Sequence, residues 1–346
     1  MAAKAAEVDA GGVAVRVSSP DRVVFEATAE TPEFTKLQVV EYFVAVDDGI
    51  MRALRDRPTA LERWPKGVRE GMRLTSSQGQ GDAFYSKRVP KGAPEHLPTV
   101  RVHFPSGRRA DEICPAQVAD VAWAAHMGAI TFHPWPMRRA DVDRPDELRI
   151  DLDPQDGTDF HDAVDAALAT RELLAELGLR AFVKTSGNRG VHVFVRIAPR
   201  WTVTDVRHAA IAVGRALEKR HDGVTTAWWK EERGSRIFVD FNQNARDRTI
   251  ASAYSLRPKL GAPVSFPVTW DALPGLESPR GFHLGTVPDL LRADGDAWAE
   301  IDDVAHDLTP LLDLWAENPT EMPYPPDYPK MPGEPKRVQP SKAKRD

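Results

Sequence analysis

Cysteine and long apolar runs are nearly absent from this chain of 346 residues. Its one cysteine, Cys114, excludes a disulfide framework and a zinc site built from cysteines, and it favours a reducing compartment. No apolar run approaches the length of a membrane span, and residues 1–12 lack the apolar core of a signal peptide. These absences predict a cytoplasmic protein that does not use a membrane.

A positive net charge is missing as well, since the formal charge is −5 at pH 7. By itself this argues weakly against a nucleic-acid partner, but the charge is unevenly placed. Residues 50–114 carry 13 Lys and Arg against 7 Asp and Glu, whereas residues 287–321 carry 1 Arg against 10 acidic residues. The basic segment is therefore compatible with a phosphate-backbone partner, and solvated surface is the alternative interpretation.

The apolar pattern predicts an α/β (α+β) fold with a mixed β-sheet core flanked by helices, because strands are interspersed with helices. Residues 1–12 are expected to be a disordered leader, and residues 13–318 a single domain. Within it, residues 13–145 supply the basic surface and residues 146–318 the polar motifs. Residues 319–346, rich in proline and lysine, are predicted to be a disordered tail.

Capping and turn signals set the expected element boundaries. A capping box at Thr35 and Gln38 opens the first helix, and Pro115 suits the first turn of the second. Helices are predicted at residues 35–54, 115–127, 158–178, 204–221 and 299–316. A strand region with a turn around residues 18–21 is predicted at residues 13–25. Further strands are predicted at residues 57–64, 83–89, 100–104, 130–135, 148–153, 180–185, 191–197, 237–241 and 251–256.

The most informative motif is the run from Arg149 to Pro154, in which carboxylates alternate with apolar residues. In a strand, Asp151 and Asp153 share one face and Ile150 and Leu152 the other. Two adjacent ionised carboxylates repel each other, so such a site holds a divalent cation or keeps one carboxyl protonated. Pro154 then ends the strand. The alternative is the exposed face of an edge strand.

A second motif runs from Ser186 to His192 with the sequence Ser-Gly-Asn-Arg-Gly-Val-His. Its two glycines bracket a tight turn and are expected to leave backbone N–H groups free to approach an anion. The hydroxyl of Ser186, the cation of Arg189 and the imidazole of His192 suit phosphate oxygens. The alternative is a plain β-hairpin with His192 as an ordinary buried histidine.

A third motif places Asp240 in the otherwise apolar run from Ile237 to Phe241. Burying an unpaired charge is costly, so this carboxylate is expected to face a metal ion or an arginine such as Arg236. Gln243 and Arg257 follow closely and could line the same cleft. With Asp151 and Asp153, the motifs could hold two cations roughly 3.5–4 Å apart and a triphosphate, the arrangement for in-line attack on a phosphoryl group.

From about Ser19 to Leu314 the chain resembles the archaeo-eukaryotic primase superfamily, and in particular the polymerase domain of bacterial ligase D. The three motifs above match that family's Asp-x-Asp, Ser-Gly-x-x-Gly-x-His and lone Asp. Further segments are also similar: Phe34-Thr35-Lys36, Arg57-Pro58, Arg63-Trp64-Pro65, Phe132-His133-Pro134-Trp135 and Tyr254-Ser255-Leu256-Arg257.

The resemblance implies a primase-polymerase that adds NTPs or dNTPs to a DNA 3′ end with two Mn²⁺ or Mg²⁺ ions. The implied catalytic metal ligands are Asp151, Asp153 and Asp240. The implied nucleotide-binding residues are Ser186, Gly187, Arg189, His192, His133, Arg257 and Gln243. The implied DNA-binding residues are Arg22, Lys36, Phe84, Tyr85, Lys87, Arg233 and Arg236, with Arg22 and Lys36 on a 5′-phosphate across a gap.

Three departures from the family pattern stand out. Glu62 occupies a position where relatives tend to carry Lys or Arg, Arg22 replaces a Lys, and Tyr85 replaces a second Phe. No ligase or nuclease domain is recognisable in the sequence, so we expect a stand-alone, monomeric relative, with gap filling, end joining and priming all open.

The expected partners are gapped DNA with a 5′-phosphate, NTPs or dNTPs, and DNA ligase or other repair proteins. A DNA-end or gap-binding module without catalysis is the main alternative. A metal-dependent nuclease is another, which the triphosphate turn disfavours.

Overall fold

The computed structural model describes residues 5–75 and 81–342. Its strands are Ala5–Asp9 (β1), Ala14–Ser18 (β2), Val23–Phe25 (β3), Phe34–Thr35 (β4), Thr59–Arg63 (β5), Phe84–Ser86 (β6), Thr99–His103 (β7), Arg109–Ile113 (β8), Ala129–Pro134 (β9), Glu147–Pro154 (β10), Phe182–Thr185 (β11), Val191–Arg196 (β12), Val224–Thr225 (β13), Ile237–Val239 (β14) and Pro267–Val268 (β15). Its helices are Lys36–Ala45 (α1), Asp47–Leu54 (α2), Val118–His126 (α3), Phe160–Glu176 (α4), Val203–Arg220 (α5), Lys230–Arg233 (α6), Val287–Asp294 (α7) and Thr309–Ala316 (α8).

The larger sheet has six strands in the order β13-β14-β10-β12-β11-β15. Its pairings are antiparallel except for β13 with β14. Strand β10 alternates as expected, because Ile150 and Leu152 are buried while Asp151 and Asp153 are more exposed. Helices α4 and α5 both pack against β10. The mixed α/β fold with flanking helices is therefore confirmed, and β10 lies inside the sheet rather than at its edge.

The second sheet has the order β6-β5-β8-β7, with β9 also paired to β5. In its register, Glu62 lies opposite Tyr85 of β6, and Ala60 lies opposite His133 of β9. Helix α3 packs against both β9 and α1. This register brings Glu62, Tyr85 and the predicted nucleotide-binding residue His133 to neighbouring strands.

Local capping explains where the long helices begin. Thr35 and Gln38 form the expected reciprocal capping box at α1, and Asp159 and Thr202 cap α4 and α5 in the same way. The single helix predicted for residues 35–54 is wrong in one respect, because Val46 leaves helical backbone angles and divides it into α1 and α2.

The disordered leader is contradicted by the structure of residues 5–12. Strand β1 pairs in antiparallel register with β2, and the connecting turn uses Gly11 and Gly12 at positive φ. Asp9 accepts a hydrogen bond from the N–H of Gly12 at 2.7 Å, and Ala10 is buried. Pairing with β2 satisfies the backbone hydrogen bonds of this segment, and its apolar side packs against the domain. The disorder predicted from composition alone is therefore wrong here. Residues 1–4 lie outside the described residues.

The disordered tail is also contradicted for residues 319–342. The guanidinium of Arg207 is fully buried on α5, and it bonds to Glu321 at 3.2 Å and to the carbonyl of Met322 at 2.9 Å. Tyr324 and Tyr328 are buried against Ala245. A buried cation needs these partners, which holds the segment against the domain. Residues 343–346 of the predicted tail lie outside the described residues.

Two further predicted elements are wrong. Residues 251–256 form no strand, because Tyr254 has a φ of 62° and only Leu256 bridges to Val264. The helix predicted at residues 299–316 is reduced to α8, which begins at Thr309. Within the described residues, no helix is both long and apolar enough to cross a membrane.

Candidate active site

Three carboxylates meet at the end of the larger sheet. Asp151 and Asp153 lie on β10, and Asp240 directly follows the neighbouring strand β14. The two strands are antiparallel, with Leu152 opposite Val239. The N–H of Asp240 donates to the carbonyl of Asp151 at 2.9 Å. The backbones of the first and third motifs therefore lie side by side, as predicted.

The electrostatics of these carboxylates are unbalanced. Burial raises the pKa of Asp151 to about 6, and burial together with the charge of Asp151 raises the pKa of Asp240 to about 7. Burial and Asp151 also raise the pKa of Asp153. No Lys or Arg among the described residues forms an ion pair with any of the three. The alternative interpretation, a salt bridge from Arg236 or another arginine to Asp240, is therefore absent from that part of the chain. Nearby cations lower these pKa values in part, but no ion pair neutralises the three carboxylates.

Neutral hydrogen bonds hold two of these side chains. Asp240 accepts from the amide of Gln243 at 2.9 Å and from the N–H of Asn242 at 3.1 Å, and Asp153 accepts from the amide of Gln155 at 3.2 Å. The described residues contain no set of three or more His, Cys, Asp or Glu side chains already arranged as metal ligands. The chemistry nevertheless fits a hard divalent cation, because carboxylate oxygens are its preferred ligands and its charge would relieve their mutual repulsion.

The glycine turn packs against the same end of the sheet. Its Gly187 has a φ of 68°, and a Cβ there would lie 2.6 Å from Cγ of Arg257 and 2.9 Å from the backbone N of Ser265. A Cβ on Gly190 would lie 2.6 Å from the carbonyl of Leu152. Only glycine fits both positions, and this close packing brings Arg257 against the turn.

The expectation of free N–H groups in this turn needs a correction. The hydroxyl of Ser186 accepts hydrogen bonds from the N–H of Asn188 at 3.1 Å and of Gly190 at 3.0 Å. Two of the turn's donors are therefore satisfied internally, because the serine side chain closes the turn as an ST-type bond. The cationic side chain of Arg189, which donates to the carbonyl of Pro154 at 3.1 Å, remains beside the carboxylates.

Sequence reasoning missed Lys184, which is fully buried on β11. Its Nζ lies 2.8 Å from Nδ1 of His192 and 2.5 Å from Oγ of Ser265. Nε2 of the same histidine lies 3.3 Å from Asp151. Burial, reinforced by Lys184, lowers the pKa of His192 well below its usual value. From this network we assign a neutral imidazole that accepts from Lys184 and donates to Asp151.

A signal for Lys184 was available in the sequence. It is a lone charge in the apolar run from Phe182 to Thr185, which is the same argument that singled out Asp240. Burial, followed by the charge of Arg257, lowers the pKa of Lys184 well below its usual value.

Glu62 and His133 form a second buried pair. Oε2 of Glu62 lies 3.1 Å from Nε2 of His133, and Oε1 accepts from the indole of Trp64 at 3.1 Å. Burial opposes ionisation of Glu62, but His133, Arg257 and Trp64 together hold its pKa below the ordinary value. Glu62 is therefore a buried anion that His133 and Arg257 stabilise.

An exposed aromatic pair borders this pocket. Phe84 is 38% exposed and Tyr85 is 45% exposed, which is unusual for large apolar side chains. The ring of Tyr85 meets that of His133 edge-on with centroids 5.2 Å apart, and the guanidinium of Arg63 lies 5.2 Å from the Phe84 ring. Both rings are partly exposed, and their role in stacking on bases stays a prediction.

The structure places three predicted DNA-binding cations in other contacts. Lys87 forms an ion pair with Asp247 at 2.7 Å. Arg236 donates to the carbonyls of Glu232 and Arg233. Arg233 donates to the side-chain oxygen of Gln155 at 3.2 Å, and its charge lowers the pKa of the nearby carboxylates. Arg233 therefore faces the carboxylate cluster.

Arg22 and Lys36 lie together in a separate cationic cluster. Nζ of Lys36 donates to the carbonyl of Ser18 at 2.9 Å, and Arg22 donates to the carbonyl of Pro65 at 2.5 Å. Burial and the charge of Arg22 lower the pKa of Lys36 to about 8. Burial, Lys36, Arg16 and Arg22 lower the pKa of His126 to about 4. No described residue forms an ion pair with either Arg22 or Lys36, so the cluster favours an anionic ligand.

Comparison with known proteins identifies the family. The model of the LigD primase-polymerase domain matches residues 35–298. The chain belongs to the LigD primase-polymerase domain family. The resemblance expected from the motifs is thereby confirmed, because all three lie inside the matched range.

Individual relatives of this LigD domain agree with the assignment. The chain is 30% identical over 304 residues to the multifunctional non-homologous end joining protein LigD of Pseudomonas aeruginosa, covering 83% of this chain and 32% of that protein. It is 29% identical over 322 residues to its Mycolicibacterium smegmatis counterpart, covering 91% and 40%. The chain thus spans about a third to two fifths of these relatives' length.

A solved structure matches the fold of this LigD primase-polymerase domain. It is the polymerase domain from Mycobacterium tuberculosis ligase D in complex with DNA, with a TM-score of 0.74 and 27% sequence identity. The match covers 84% of this chain and 99% of the other.

Proposed function

We propose that this LigD primase-polymerase domain is a template-dependent nucleotidyltransferase that adds NTPs or dNTPs to a DNA 3′ end. The observation that carries the proposal is the cluster of Asp151, Asp153 and Asp240, whose raised pKa values mark a site built for cations, next to a glycine turn and Arg257. The match to the LigD family supports the same reaction class.

In this proposal the three aspartates hold two Mn²⁺ or Mg²⁺ ions. Such ions, when bound, neutralise charge on the attacking and leaving oxygens of a phosphoryl transfer. In the reaction, the primer 3′-oxygen forms a bond to the α-phosphorus while the bond from that phosphorus to the bridging oxygen breaks, and pyrophosphate leaves. The proton of the 3′-hydroxyl passes to solvent.

The chain's other residues bind and orient the nucleotide. Ser186, Arg189, His192 and Arg257 are proposed to bind the triphosphate, with Gly187 allowing Arg257 to approach. Lys184 keeps Nε2 of His192 protonated as a donor. His133 and Gln243 line the nucleotide pocket.

DNA is the proposed polymeric substrate, since the structural neighbour was solved in complex with DNA. Arg22 and Lys36 are proposed to bind a 5′-phosphate across a short gap, because their cluster has cations without acidic partners among the described residues. Phe84 and Tyr85 would stack on bases. Of the other predicted DNA contacts, Lys87 would first have to leave Asp247. Short gap filling in DNA repair, beside a ligase, is the proposed role.

Residues 5–342 are proposed to act as one catalytic domain, which replaces the expected limits of 13–318. The main apolar cluster runs from Ala10 to Leu311, with Val8 and Met322 packed against it. Both predicted flanking segments therefore contribute to the fold that carries the carboxylates.

The test is extension of a labelled primer across a short gap that ends in a 5′-phosphate, with Mn²⁺ and either NTPs or dNTPs. We expect extension by the wild-type protein and none by the variant that combines Asp151→Ala with Asp153→Ala. The variant should still bind the gapped DNA, because Arg22 and Lys36 are unchanged. Extension by the variant would refute the assignment.

The second candidate is a DNA-gap-binding module without catalysis, and the cationic cluster around Arg22 and Lys36 favours it. Tight binding of gapped DNA by the wild type with no extension under any nucleotide would establish this alternative. In that case Arg22→Ala with Lys36→Ala should weaken binding to 5′-phosphorylated gaps more than to gaps without the phosphate.

A further inference from the structure

A cavity of about 510 Å³ borders the glycine turn. One wall is the turn itself, residues 187–189. The others are Lys259 with its neighbours, residues 28–31, and the segment that carries Arg280. Neither Lys259 nor Arg280 has a role in the proposed site so far.

The cavity is strongly cationic. Arg189, Lys259 and Arg280 line it, and none of them forms an ion pair with a described residue. Burial, followed by the charges of Arg257, Arg189 and Arg280, lowers the pKa of Lys259. The cations therefore repel one another, and a bound anion would relieve that repulsion. The one carboxylate in the lining is Glu30, which is solvent-exposed like the three cations.

The cavity is connected to the carboxylate cluster through Arg189. This guanidinium donates to the carbonyl of Pro154, one residue after Asp153, and its charge lowers the pKa of Asp153. Lys259 donates from Nζ to the side-chain oxygen of Asn188, which ties it to the same turn. An anion in the cavity would thus lie next to any nucleotide held by the turn.

We propose that this cavity is an oxyanion subsite for the distal phosphates of a bound nucleoside triphosphate, with Lys259 and Arg280 as its ligands. The assignment rests on the proposed nucleotidyltransferase function. Lysine and arginine are suited to terminal phosphate oxygens as charge-assisted donors. The same chemistry could serve a DNA backbone phosphate, but a pocket walled by four chain segments suits a compact polyphosphate better than a continuous strand.

The test measures binding of inorganic tripolyphosphate by calorimetry, in EDTA so that no metal ion contributes. Lys259→Ala and Arg280→Ala are each expected to weaken binding about tenfold, the loss of one charge-assisted contact. Lys259→Arg should retain binding within about threefold. Matched controls are Lys219→Ala and Arg292→Ala, exposed cations on α5 and α7, which should leave the affinity unchanged.

A second arm separates the two sources of phosphate. The same variants are titrated with a gapped duplex that carries a 5′-phosphate, and its affinity should stay within about twofold of wild type. Unchanged tripolyphosphate binding in both Lys259→Ala and Arg280→Ala would overturn the subsite. Loss of duplex affinity with tripolyphosphate binding intact would also overturn it and assign the cavity to DNA.

Failure of the proposed function has a different signature. If the wild type extends no primer, yet tripolyphosphate binding still depends on Lys259 and Arg280, the subsite stands and the polymerase assignment falls. If the wild type extends primers, the Lys259→Ala variant should show a raised KM for the nucleotide with kcat changed less.

Discussion

Buried carboxylates at the two ends of strand β10 have opposite electrostatic environments. At its start, Glu147 bonds to Arg57 at 3.1 Å, to Arg149 at 2.6 Å and to Arg196. Burial alone would raise the pKa of Glu147, but these three arginines lower it well below its usual value. At the other end, burial raises the pKa of Asp151, and no arginine or lysine pairs with it.

The comparison shows that burial of charge does not by itself mark a functional site. The Glu147 end is a complete network in which each charge has partners, and this stabilises the packing of β10 against its neighbours. At the Asp151 end the carboxylates have no Lys or Arg ion-pair partner among the described residues, and a cationic ligand can neutralise them. The following predictions break or sharpen this contrast, from the largest expected effect to the smallest.

Asp240→Asn should nearly abolish primer extension without destabilising the fold. Several kcal/mol of lost charge stabilisation corresponds to a fall in rate on the order of a thousandfold. The asparagine oxygen can still accept from the N–H of Asn242, and Gln243 can turn its amide. Single-turnover extension and urea unfolding measure the two effects. A variant that is both active and less stable would reverse the roles given to the two ends.

Glu147→Gln should have the opposite profile. Removing this carboxylate leaves the buried Arg149 without an ion pair and removes one of the two acidic partners of Arg57 and of Arg196. Breaking such a network costs about 3–5 kcal/mol. Urea unfolding should show this loss, with Asp151→Asn as the matched control that loses no stability. If both variants lose the same amount, the contrast between the ends of β10 fails.

The pH dependence of stability should follow from the raised pKa values of the carboxylates at the Asp151 end of β10. The pKa values of Asp240 and Asp151, about 7 and 6, lie above the ordinary value of 3.8, so the folded state binds protons more tightly than the unfolded chain. In EDTA, the Tm should rise by a few degrees, on the order of what such shifts allow, as the pH falls from 8 to 5.

The control for this pH effect is the variant that carries both Asp151→Asn and Asp240→Asn. It lacks both titrating carboxyls, so its Tm should change less over the same range. A wild-type Tm that falls steadily from pH 8 to pH 5 would show that the cluster is already neutralised inside the protein. The Glu147 network contributes nothing in this window, because its carboxyl stays ionised in both states above its ordinary pKa.

The smallest effect is expected at the exposed pair of Arg101 and Asp111. Their side chains form two hydrogen bonds across β7 and β8, at 2.9 and 2.8 Å, yet both groups are solvent-exposed. Asp111→Asn should leave the urea midpoint unchanged within error, because water screens such pairs. A clear loss there would mean that geometry matters more than burial in this protein.

Much of the candidate site was predictable from the chain. The alternation in β10 gave the faces of Asp151 and Asp153, and the cost of a lone buried charge singled out Asp240. The glycine spacing indicated a tight turn at Gly187 and Gly190. These inferences are local, since each depends on strand periodicity or on backbone angles over a few residues.

Other parts were not predictable because they depend on contacts between distant segments. The partner of Glu62 is His133, 71 positions away, and the register of β5 with β9 brings them together. The order of residues 319–342 depends on the buried Arg207, 114 positions before Glu321. The segment is rich in proline, as its composition shows. Its order depends on the hydrogen bonds that it accepts from the buried Arg207.

Sequence patterns alone established the family, the mixed α/β class and the three carboxylates, because periodicity, motif spacing and the cost of isolated charge act over short stretches of chain. The tertiary structure decided which charges have an ion-pair partner and which do not. Glu147 and Asp151 lie in the same charged stretch of the sequence. Their environments differ because Arg57 and Arg196 approach Glu147 from other strands and loops and form ion pairs with it. The physical reason is that a charge is stabilised by what surrounds it in space, which distant segments supply.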